Sequence, residues 1–547
     1  MVAEKPSVAQ TIGKVLGATS RKDGYLEGEG YLVSWCVGHL VGLADASVYD
    51  QRYSKWRYDD LPIIPEEWLY EVPKDKMQQF KVLSALMKDK RVTELVCATD
   101  AGREGELIFR LVYQKAGCRK PFKRLWISSL EDSAIRDGFQ HLRDSSEFDR
   151  LYEAALSRSK ADWIVGINGT RLFSTLYHKK LVVGRVQTPT LAMLVERDGK
   201  ITIFRKEKYF NVHIQKDSLK ASLEKLKTEE EAKRIAEACD KKQASVSSLK
   251  KERKTVNPPK LYDLTTLQRE ANRYFSFTAQ QTLDLVQSLY EKKLLTYPRT
   301  DSQFITDDME GTVRQVISIL CRKLPLFDGV VYTPDIDRIS NNAKVTDHHA
   351  ILPTVQVEKL DIAELPESEQ KILRLVATRL ICATGEKHIY DETTMTVSCE
   401  GSLFTAKGKT VVQDGWKGIE LRFKATLKSK EKEEPETVLP EVTEGDILQN
   451  VVSSVSEHFT SPPKAFTEDT LLSAMESAGN EAFDDETEKK GLGTPATRAG
   501  IIEKLVKGGF AERKGKSLIP TKDGLNLVCV LPEQITSPAM TAEWENT

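Results

Sequence analysis

In the first 140 residues, an apolar strand-like segment, a polar loop and an amphipathic helical stretch follow one another repeatedly. The clearest unit is Glu94–Gly117, in which a β-branched apolar run leads into Asp100 and a helical spacing of apolar residues follows. Similar units begin at the N-terminus, where Ser7 is a good helix cap, and at Lys123–Ile127. Repeated strand–helix units predict a mostly parallel α/β sheet.

Three carboxylates follow the strand of the clearest unit: Asp100, Glu104 and Glu106. Open α/β sheets bind their ligands at the carboxyl ends of the strands. Clustered carboxylates suit Mg²⁺, which keeps several waters and needs few protein ligands. The sequence therefore predicts a Mg²⁺ site on these residues. The alternative is that these carboxylates only interact favourably with the dipole at the helix N-terminus, and Glu106 fits that alternative as well.

Two further charged residues, Glu4 and Lys5, lie on the first strand-to-helix turn and should point to the same edge of the sheet. Far downstream, Leu294–Ser302 places Tyr297 two residues before Arg299 at the end of an apolar run. In an extended segment residues two apart share a face, so both side chains would reach one phosphate. A tyrosine next to a cation is a candidate nucleophile, although most tyrosines in apolar runs are packing residues.

These motifs resemble those of the type IA DNA topoisomerases. Residues 1–140 are similar to the family's Toprim domain, and Leu295–Ser302 is similar to its active-site tyrosine motif. Further matches occur in the family's order: Gly38–Leu40, Gly184–Leu191, Asp347–Thr354 and Gly491–Arg498. The start Glu4–Ser7 and the lack of zinc-binding modules are more typical of the bacterial topoisomerase III branch than of topoisomerase I.

The resemblance, together with the strand and helix patterns, predicts an α/β plus mixed α+β fold. Its parts are a Toprim-like, Rossmann-type N-terminal domain, winged-helix-like helical domains and a β-rich arch, and together they form a ring with a central hole. The expected boundaries are 1–150 for the Toprim-like domain, 151–206 for a helical DNA-gripping segment, 207–258 and 391–460 for the two parts of the arch, 259–390 for the helical domain with the tyrosine, and 461–547 for a winged-helix-like domain.

By the same resemblance, Tyr297 attacks one DNA strand and becomes linked to its 5′-phosphate, a second strand passes, and the break is resealed without ATP. Arg299 and Lys5 are expected to neutralise charge on the phosphate. Glu4 is expected to act as general acid and then as base. His348 is assigned a catalytic role, orienting a phosphate or relaying a proton, and a loop histidine bonded to backbone is an equal alternative.

Several residues are expected to hold DNA through its phosphates: Arg158, Arg185, Gln187, Thr188, His349, Thr497 and Arg498. Taken one at a time, such cations are more often solvated helix faces. The expected partner is DNA with single-stranded regions, either negatively supercoiled or catenated, and the protein is expected to be a monomer. Rival functions are a Toprim nuclease or primase, and a catalytically weak remnant that only binds single-stranded DNA.

Two features depart from the family pattern. The acidic loop usually reads Asp-x-Asp-x-Glu, but its second acid is Gly102 here, which leaves the number of bound Mg²⁺ ions open. Only Met1–Ala3 is left to form the first strand, and Thr541–Thr547 looks like the start of another helix. Truncation at both ends is therefore expected from the sequence.

Bulk composition narrows the remaining choices. The net charge is −1 with 29% charged residues, which argues against a histone-like polycation but not against local basic surfaces. The eight cysteines form no CxxC pair, so neither a zinc ribbon nor a disulfide scaffold is predicted. Without a secretory signal or a membrane-spanning apolar run, the expected location is the cytoplasm, associated with the nucleoid.

Overall fold

The structure is a computed structural model that describes residues 1–330, 332–345, 348–427, 438–478, 491–538 and 541. Of the expected C-terminal helix at Thr541–Thr547, only Thr541 belongs to these residues. Among the described residues, no helix combines the length and apolar character that crossing a bilayer requires.

The N-terminal region is a sheet flanked by helices. Its elements are β1 (Val2–Ala3), α1 (Pro6–Val15), β2 (Ser20–Lys22), β3 (Tyr25–Gly28), β4 (Tyr31–Trp35), β5 (Gly42–Leu43), α2 (Ala46–Tyr49), β6 (Tyr70–Glu71), α3 (Met77–Lys88), β7 (Leu95–Ala98), α4 (Arg103–Lys115), β8 (Phe122–Arg124), α5 (Asp132–Gln140) and β9 (Arg143–Asp144). In the described part, the strand order is β2-β3-β4-β1-β7-β8-β9, with β5 and β6 paired separately.

Strand β1 has only two residues, yet it lies at the centre of this sheet. It pairs in parallel with β4 on one side and with β7 on the other, so that Ala3 is opposite Ala98. Both residues of β1 are buried. Because β1 and β7 are parallel neighbours, the chain leaves both strands at the same edge, which brings Glu4 next to the loop that begins at Thr99.

Two long helices, α6 (Asp149–Leu176) and α7 (Gln187–Thr202), connect this sheet to a second one. The next elements are β10 (Lys208–Lys216), β11 (Leu219–Leu226), α8 (Glu229–Cys239) and β12 (Ala244–Val256). A helical region follows, with α9 (Leu264–Phe275), α10 (Ala279–Glu291), α11 (Glu310–Lys323) and α12 (Glu367–Ala383). Its buried apolar side chains form a core of their own.

The chain then returns to the second sheet through β13 (His388–Cys399), β14 (Ser402–Gln413), α13 (Trp416–Thr426), β15 (Ile447–Leu448) and β16 (Val452–Phe459). Within the described residues the strand order is β15-β12-β13-β14-β11-β10-β16. Every neighbouring pair is antiparallel. One sheet is thus built from two stretches of sequence separated by the helical region, and we call it the arch sheet.

The last region combines short strands with helices: β17 (Phe466–Thr467), α14 (Glu468–Ser477), α15 (Pro495–Lys507), β18 (Ala511–Lys514), β19 (Ser517–Pro520), α16 (Lys522–Val530) and α17 (Glu533–Thr536). Strands β17, β19 and β18 form a small antiparallel sheet. Its apolar core is shared with α7, which ties this region back to the middle of the chain.

Candidate active site

The tyrosine loop lies directly against the carboxyl edge of the N-terminal sheet. The Tyr297 hydroxyl donates a hydrogen bond to Asp100 Oδ2 at 3.2 Å, and Arg299 Nη1 donates to the same oxygen at 3.2 Å. The backbone N–H of Asp100 donates to Glu4 Oε2 at 3.3 Å. Arg299 Nη1 also lies 3.6 Å from Glu4 Oε1. Four residues from three distant parts of the sequence therefore form one cluster.

This arrangement follows from local chain geometry. Glu4 comes directly after β1 and Asp100 lies two residues after the adjacent strand β7, so their proximity is set by the parallel pairing. Tyr297 and Arg299 are two residues apart and both reach Asp100, as the alternation of an extended segment requires. The backbone N–H of Tyr297 donates to Ser128 O at 3.1 Å, which fixes the loop to the end of the third strand–helix unit.

The cluster is largely shielded from water. Glu4 is 5% exposed and Tyr297 is 6% exposed. Burial, together with the nearby negative charge of Asp100, raises the pKa of Glu4 to about 7. The same two causes raise the pKa of the Tyr297 phenol well above its ordinary value. At neutral pH the site therefore holds a protonated phenol and a carboxyl group that is close to half protonated.

Lys5 lies on the same turn, and its Nζ is 3.6 Å from Glu291 Oε1 at the end of α10. This pair joins the N-terminal sheet to the helix that precedes the tyrosine loop. Tyr290, on the last turn of the same helix, is buried and meets the Tyr297 ring edge-on with centroids 5.6 Å apart. Both contacts hold the tyrosine loop against the sheet. Neither Glu291 nor Tyr290 carries a sequence signal that predicts such a contact.

His348 packs on Tyr297, with ring centroids 4.2 Å apart. Its Nε2 bonds to the carbonyl oxygen of Ala101, and its Nδ1 is 2.9 Å from the Ser128 hydroxyl. A carbonyl can only accept, so we assign the proton to Nε2. Burial lowers the pKa of His348 to about 4, so the ring is neutral. The backbone-bonding alternative describes this histidine, which positions the Tyr297 ring.

His349 is bound in a similar way, since its Nδ1 lies 2.8 Å from Ala350 O. Burial lowers the pKa of His349 as well. A neutral imidazole that is bonded to the carbonyl oxygen of the next residue differs from the DNA contact that the sequence suggested for it.

The acidic loop separates its three carboxylates. Asp100 faces the tyrosine, whereas Glu104 is exposed and lies 3.1 Å from His39 Nε2. The hydrogen bond from His39 lowers the pKa of Glu104, and the positive charge of Arg158 acts in the same direction. Glu104 is therefore ionised at neutral pH and open to a cation, and Arg158 lies close to the mouth of the site.

The structure does not place Glu106 as the metal ligand that the sequence predicts. It is completely buried, and its carboxylate forms ion pairs with Arg110 Nε at 2.7 Å and with Arg124 Nε at 3.0 Å. Arg124, also completely buried, donates to the carbonyl oxygens of Thr99 and Asp100 at 2.7 and 2.6 Å. Glu106 thus stabilises the acidic loop indirectly, by holding Arg124, which the sequence did not single out.

We expect Glu106→Gln to destabilise the protein by about 3–5 kcal/mol, because it leaves the buried guanidinium of Arg124 without a counter-charge. Thermal unfolding followed by circular dichroism checks this, with the exposed Glu153→Gln as the matched control at about ±0.5 kcal/mol. An unchanged melting temperature combined with a raised Mg²⁺ requirement would show instead that Glu106 is a metal ligand.

The residues predicted to bind DNA through phosphates are mostly turned toward the protein. Arg185 is buried and its Nε donates to Asp162 Oδ1 at 2.7 Å. The Thr188 hydroxyl accepts from the backbone N–H of Gly184 at 3.0 Å. Gln187 is half-buried as the first residue of α7. Arg185 and Thr188 therefore stabilise the start of α7, and a phosphate would reach them only by exchanging these bonds.

The second such pair, Thr497 and Arg498, is at the start of α15. The Thr497 hydroxyl accepts from the backbone N–H of Thr494 at 2.9 Å, which caps the helix. Arg498 is 2% exposed, and it donates to Leu492 O at 3.1 Å and to Thr265 Oγ1 at 2.9 Å. This buried arginine braces the loop before α15 against α9, which differs from the exposed DNA contact that was predicted.

Comparison with known proteins identifies the family. The DNA topoisomerase family profile matches residues 146–547, and the Toprim domain profile matches residues 1–130. DNA topoisomerase 3 of Bacillus subtilis (strain 168) is 40% identical over 573 residues, covering 100% of this chain and 77% of that protein. DNA topoisomerase 3 of Bacillus licheniformis is 41% identical with the same coverage.

Among solved structures, full-length topoisomerase I from Thermotoga maritima matches with a TM-score of 0.74 and 24% identity, covering 100% of this chain and 85% of that one. This likeness confirms the predicted fold class, with its Toprim domain, arch and ring. The family profile over most of the chain, together with relatives of 40 and 41% identity, shows that the chain belongs to the type IA DNA topoisomerases, which cleave one DNA strand, pass another and reseal the break.

Proposed function

We propose that Tyr297 is the nucleophile of this topoisomerase and that Arg299, Lys5, Glu4 and Asp100 assist it. One observation carries the proposal: the Tyr297 hydroxyl and the Arg299 guanidinium meet at one Asp100 oxygen, beside Glu4. A phosphodiester that enters between the tyrosine loop and the sheet would replace these contacts with its own oxygens. Arg299 and Lys5 would then neutralise the charge that develops on the phosphate.

In the proposed cleavage step, the Tyr297 oxygen forms a bond to phosphorus as the bond from phosphorus to the 3′-oxygen breaks. The phenol proton passes to water, because the entering phosphate displaces the hydrogen bond to Asp100 and that carboxylate is the proposed Mg²⁺ ligand. Glu4, whose pKa is raised to about 7, donates a proton to the leaving 3′-oxygen. Resealing reverses both transfers. The phosphotyrosine conserves the bond energy, so no ATP is consumed.

Magnesium is the proposed cofactor, held by Asp100 and Glu104. Their oxygen donors fit a hard cation, and Glu104 is exposed. Within the described residues, no group of three or more His, Cys, Asp or Glu side chains is arranged to hold a metal ion. A cation here would therefore complete its shell with water or with DNA phosphate. When bound, Mg²⁺ would position the cleaved ends and neutralise phosphate charge.

Gly102, at the position of the family's second acid, has φ +155° and ψ 173°, and a Cβ there would meet no atom within 4 Å. This region of backbone space is almost restricted to glycine and costs other residues about 1–3 kcal/mol. We expect Gly102→Ala and Gly102→Asp to lose similar stability by thermal unfolding, because both carry the same backbone strain.

Magnesium titrations of plasmid relaxation then separate the carboxylate from the strain. The Gly102→Asp variant should reach half-maximal activity at a lower Mg²⁺ concentration than Gly102→Ala, since a further carboxylate lies beside Asp100 and Glu104. Equal midpoints for the two variants would mean that position 102 does not face the ion.

For the substrate, we propose DNA with single-stranded regions, either negatively supercoiled or catenated, acted on by a monomer in the cytoplasm alongside the nucleoid. The burial of Tyr297 supports a single strand, because a phosphate in an unpaired strand reaches a buried side chain more readily than one in a duplex. Relaxation of negatively and positively supercoiled plasmids without ATP tests this. Relaxation of the negative form alone is expected, and equal relaxation of both would contradict the requirement for locally melted DNA.

A further inference from the structure

A cavity of about 410 Å³ lies outside the tyrosine site, where the helical region meets the arch sheet. Its walls come from the two segments that connect the sheet to this region: Asn257–Lys260, just after β12, and Lys387, just before β13. Gln303 and Phe304, which follow the tyrosine loop, form another wall with Arg338. The volume falls within the range of about 300–1,000 Å³ that is typical of small-molecule sites.

The cavity has a positive lining. Lys260, Arg338 and Lys387 contribute to it, and no Asp or Glu is among the described residues that line it. Arg338 Nη2 is 3.2 Å from Asp335 Oδ2, but its Nε is buried and has no hydrogen-bond partner in the described part of the chain. Lys260 and Lys387 are exposed and form no ion pair within the same residues. An anion would accept from Arg338 Nε and from the two lysine ammonium groups, since within the described residues none of these three groups donates to an acceptor.

An aromatic ring lies among these cations. Phe304 is half-buried, and its ring centroid is 5.5 Å from Lys260 Nζ and 5.1 Å from Lys344 Nζ. Gln303 is fixed in place, because its Nε2 donates to Asp263 Oδ2 at 2.9 Å and to Thr266 Oγ1 at 3.1 Å. Both ammonium groups lie over the ring, and a base that packs on it would take the place of one of them while its phosphate stays within reach of the cations.

We propose that this cavity binds a nucleotide, with its phosphate held by Lys260, Arg338 and Lys387 and its base packed on Phe304. The site lies beyond the cleavage cleft, since none of its lining residues belongs to the cluster around Tyr297. The two are connected by a short path, because the backbone N–H of Ala350, two residues after His348, donates to Phe304 O at 2.9 Å. The nucleotide is either one unit of a DNA strand or a free mononucleotide.

Photocrosslinking distinguishes the two sources. Wild-type protein is irradiated with a single-stranded oligonucleotide that carries 5-iododeoxyuridine, and separately with 8-azidoadenosine monophosphate, and the crosslinked peptides are sequenced. A crosslink at or beside Phe304 from the oligonucleotide assigns a strand, and one from the mononucleotide alone assigns a free nucleotide. Phe304→Leu should lose the crosslink without losing the apolar volume.

The double variant Lys260→Ala/Lys387→Ala tests how the phosphate is held. If a strand binds here, the salt dependence of single-strand affinity, measured by fluorescence anisotropy, should become shallower by about 0.7 in log–log slope for each phosphate that the variant no longer neutralises. If a free nucleotide binds, the affinity for the mononucleotide should fall at least tenfold with the slope for DNA unchanged. The control is Lys88→Ala/Lys242→Ala, two exposed lysines outside the cavity.

The proposal is overturned if neither probe crosslinks at the cavity and the double variant matches its control with both ligands. Covalent adduct formation by Tyr297 is measured in parallel with each variant. The proposal rests only on the chain acting on DNA. If the cavity does not bind a nucleotide, the adduct still forms and the crosslink is absent. If the proposed Tyr297 chemistry is wrong, the adduct is absent and the crosslink still forms.

Discussion

Tyr297→Phe should reduce plasmid relaxation to background, a decrease of at least about 10⁴-fold, while single-strand DNA binding changes less than tenfold. The substitution removes one oxygen, the proposed nucleophile, and leaves the ring that packs against Tyr290 and His348. The hydrogen bond to Asp100 disappears, which is worth about 0.5–1.5 kcal/mol. Relaxation assays and fluorescence anisotropy with a short oligonucleotide measure the two properties separately.

The matched control is Tyr290→Phe, which removes a hydroxyl from the neighbouring buried tyrosine in the same apolar cluster. It should retain relaxation activity, because Tyr290 has no proposed role beyond packing. If Tyr297→Phe still relaxes DNA, Tyr297 is not the nucleophile. If both variants lose activity equally, the loss reflects the packing of the cluster and does not identify Tyr297 as the nucleophile.

Glu4→Gln should slow strand cleavage by about 10²–10⁴-fold, the usual contribution of a positioned general acid. Glutamine keeps the shape of the side chain and can still accept from the backbone N–H of Asp100, but it cannot donate a proton to the 3′-oxygen. Single-turnover cleavage of an end-labelled oligonucleotide measures the rate. A variant that cleaves at the wild-type rate would assign the proton to another group or to water.

The pH dependence gives a second test of the same residue. Because the pKa of Glu4 in the folded protein is about 7, its protonated form dominates below that pH and is lost above it. Wild-type cleavage should therefore fall between about pH 6 and 8, whereas the residual activity of Glu4→Gln should be flat over the same range. A wild-type profile that rises through this window would contradict the general-acid role.

The protonation of Glu4 also affects the stability of the folded protein. The folded pKa of Glu4 lies above its ordinary value of 4.5, so protonation contributes stability that is complete below pH 4.5 and is lost as the pH rises through about 7. Glu4→Gln removes this contribution. Its melting temperature should therefore decline less than that of the wild type between pH 5 and 8.

Local sequence patterns were sufficient for the centre of the site. The parallel strand–helix units indicated that Glu4 and Asp100 would share one edge of the sheet, and they lie in hydrogen-bond contact there. The two-residue spacing of Tyr297 and Arg299 indicated a common target, and both meet Asp100. Both placements depend on one strand, one loop or one pair of adjacent strands, which local patterns determine, whereas the shared phosphate stays a prediction.

Contacts between remote segments left no such signal. The sequence does not show that Arg124 would insert beneath the acidic loop and pair with Glu106, or that His39 would reach Glu104. The sequence also does not show which way the arginine side chains point. Arg185 and Arg498 were expected to face DNA, but a guanidinium can also bind carbonyls and carboxylates of its own fold, and only the packing of α7 and α15 decides between the two.

The covalent intermediate tests the central claim most directly. The protein is incubated with Mg²⁺ and a single-stranded oligonucleotide labelled at its 3′ end, quenched with denaturant and digested with trypsin, and the labelled peptide is sequenced by mass spectrometry. We predict one adduct, in which the 5′-phosphate of the 3′ fragment is linked to Tyr297, and none with Tyr297→Phe. An adduct on another residue, release of the 3′-labelled fragment because the protein holds the 5′ fragment through a 3′-phosphate, or cleavage that leaves only free ends would contradict the account.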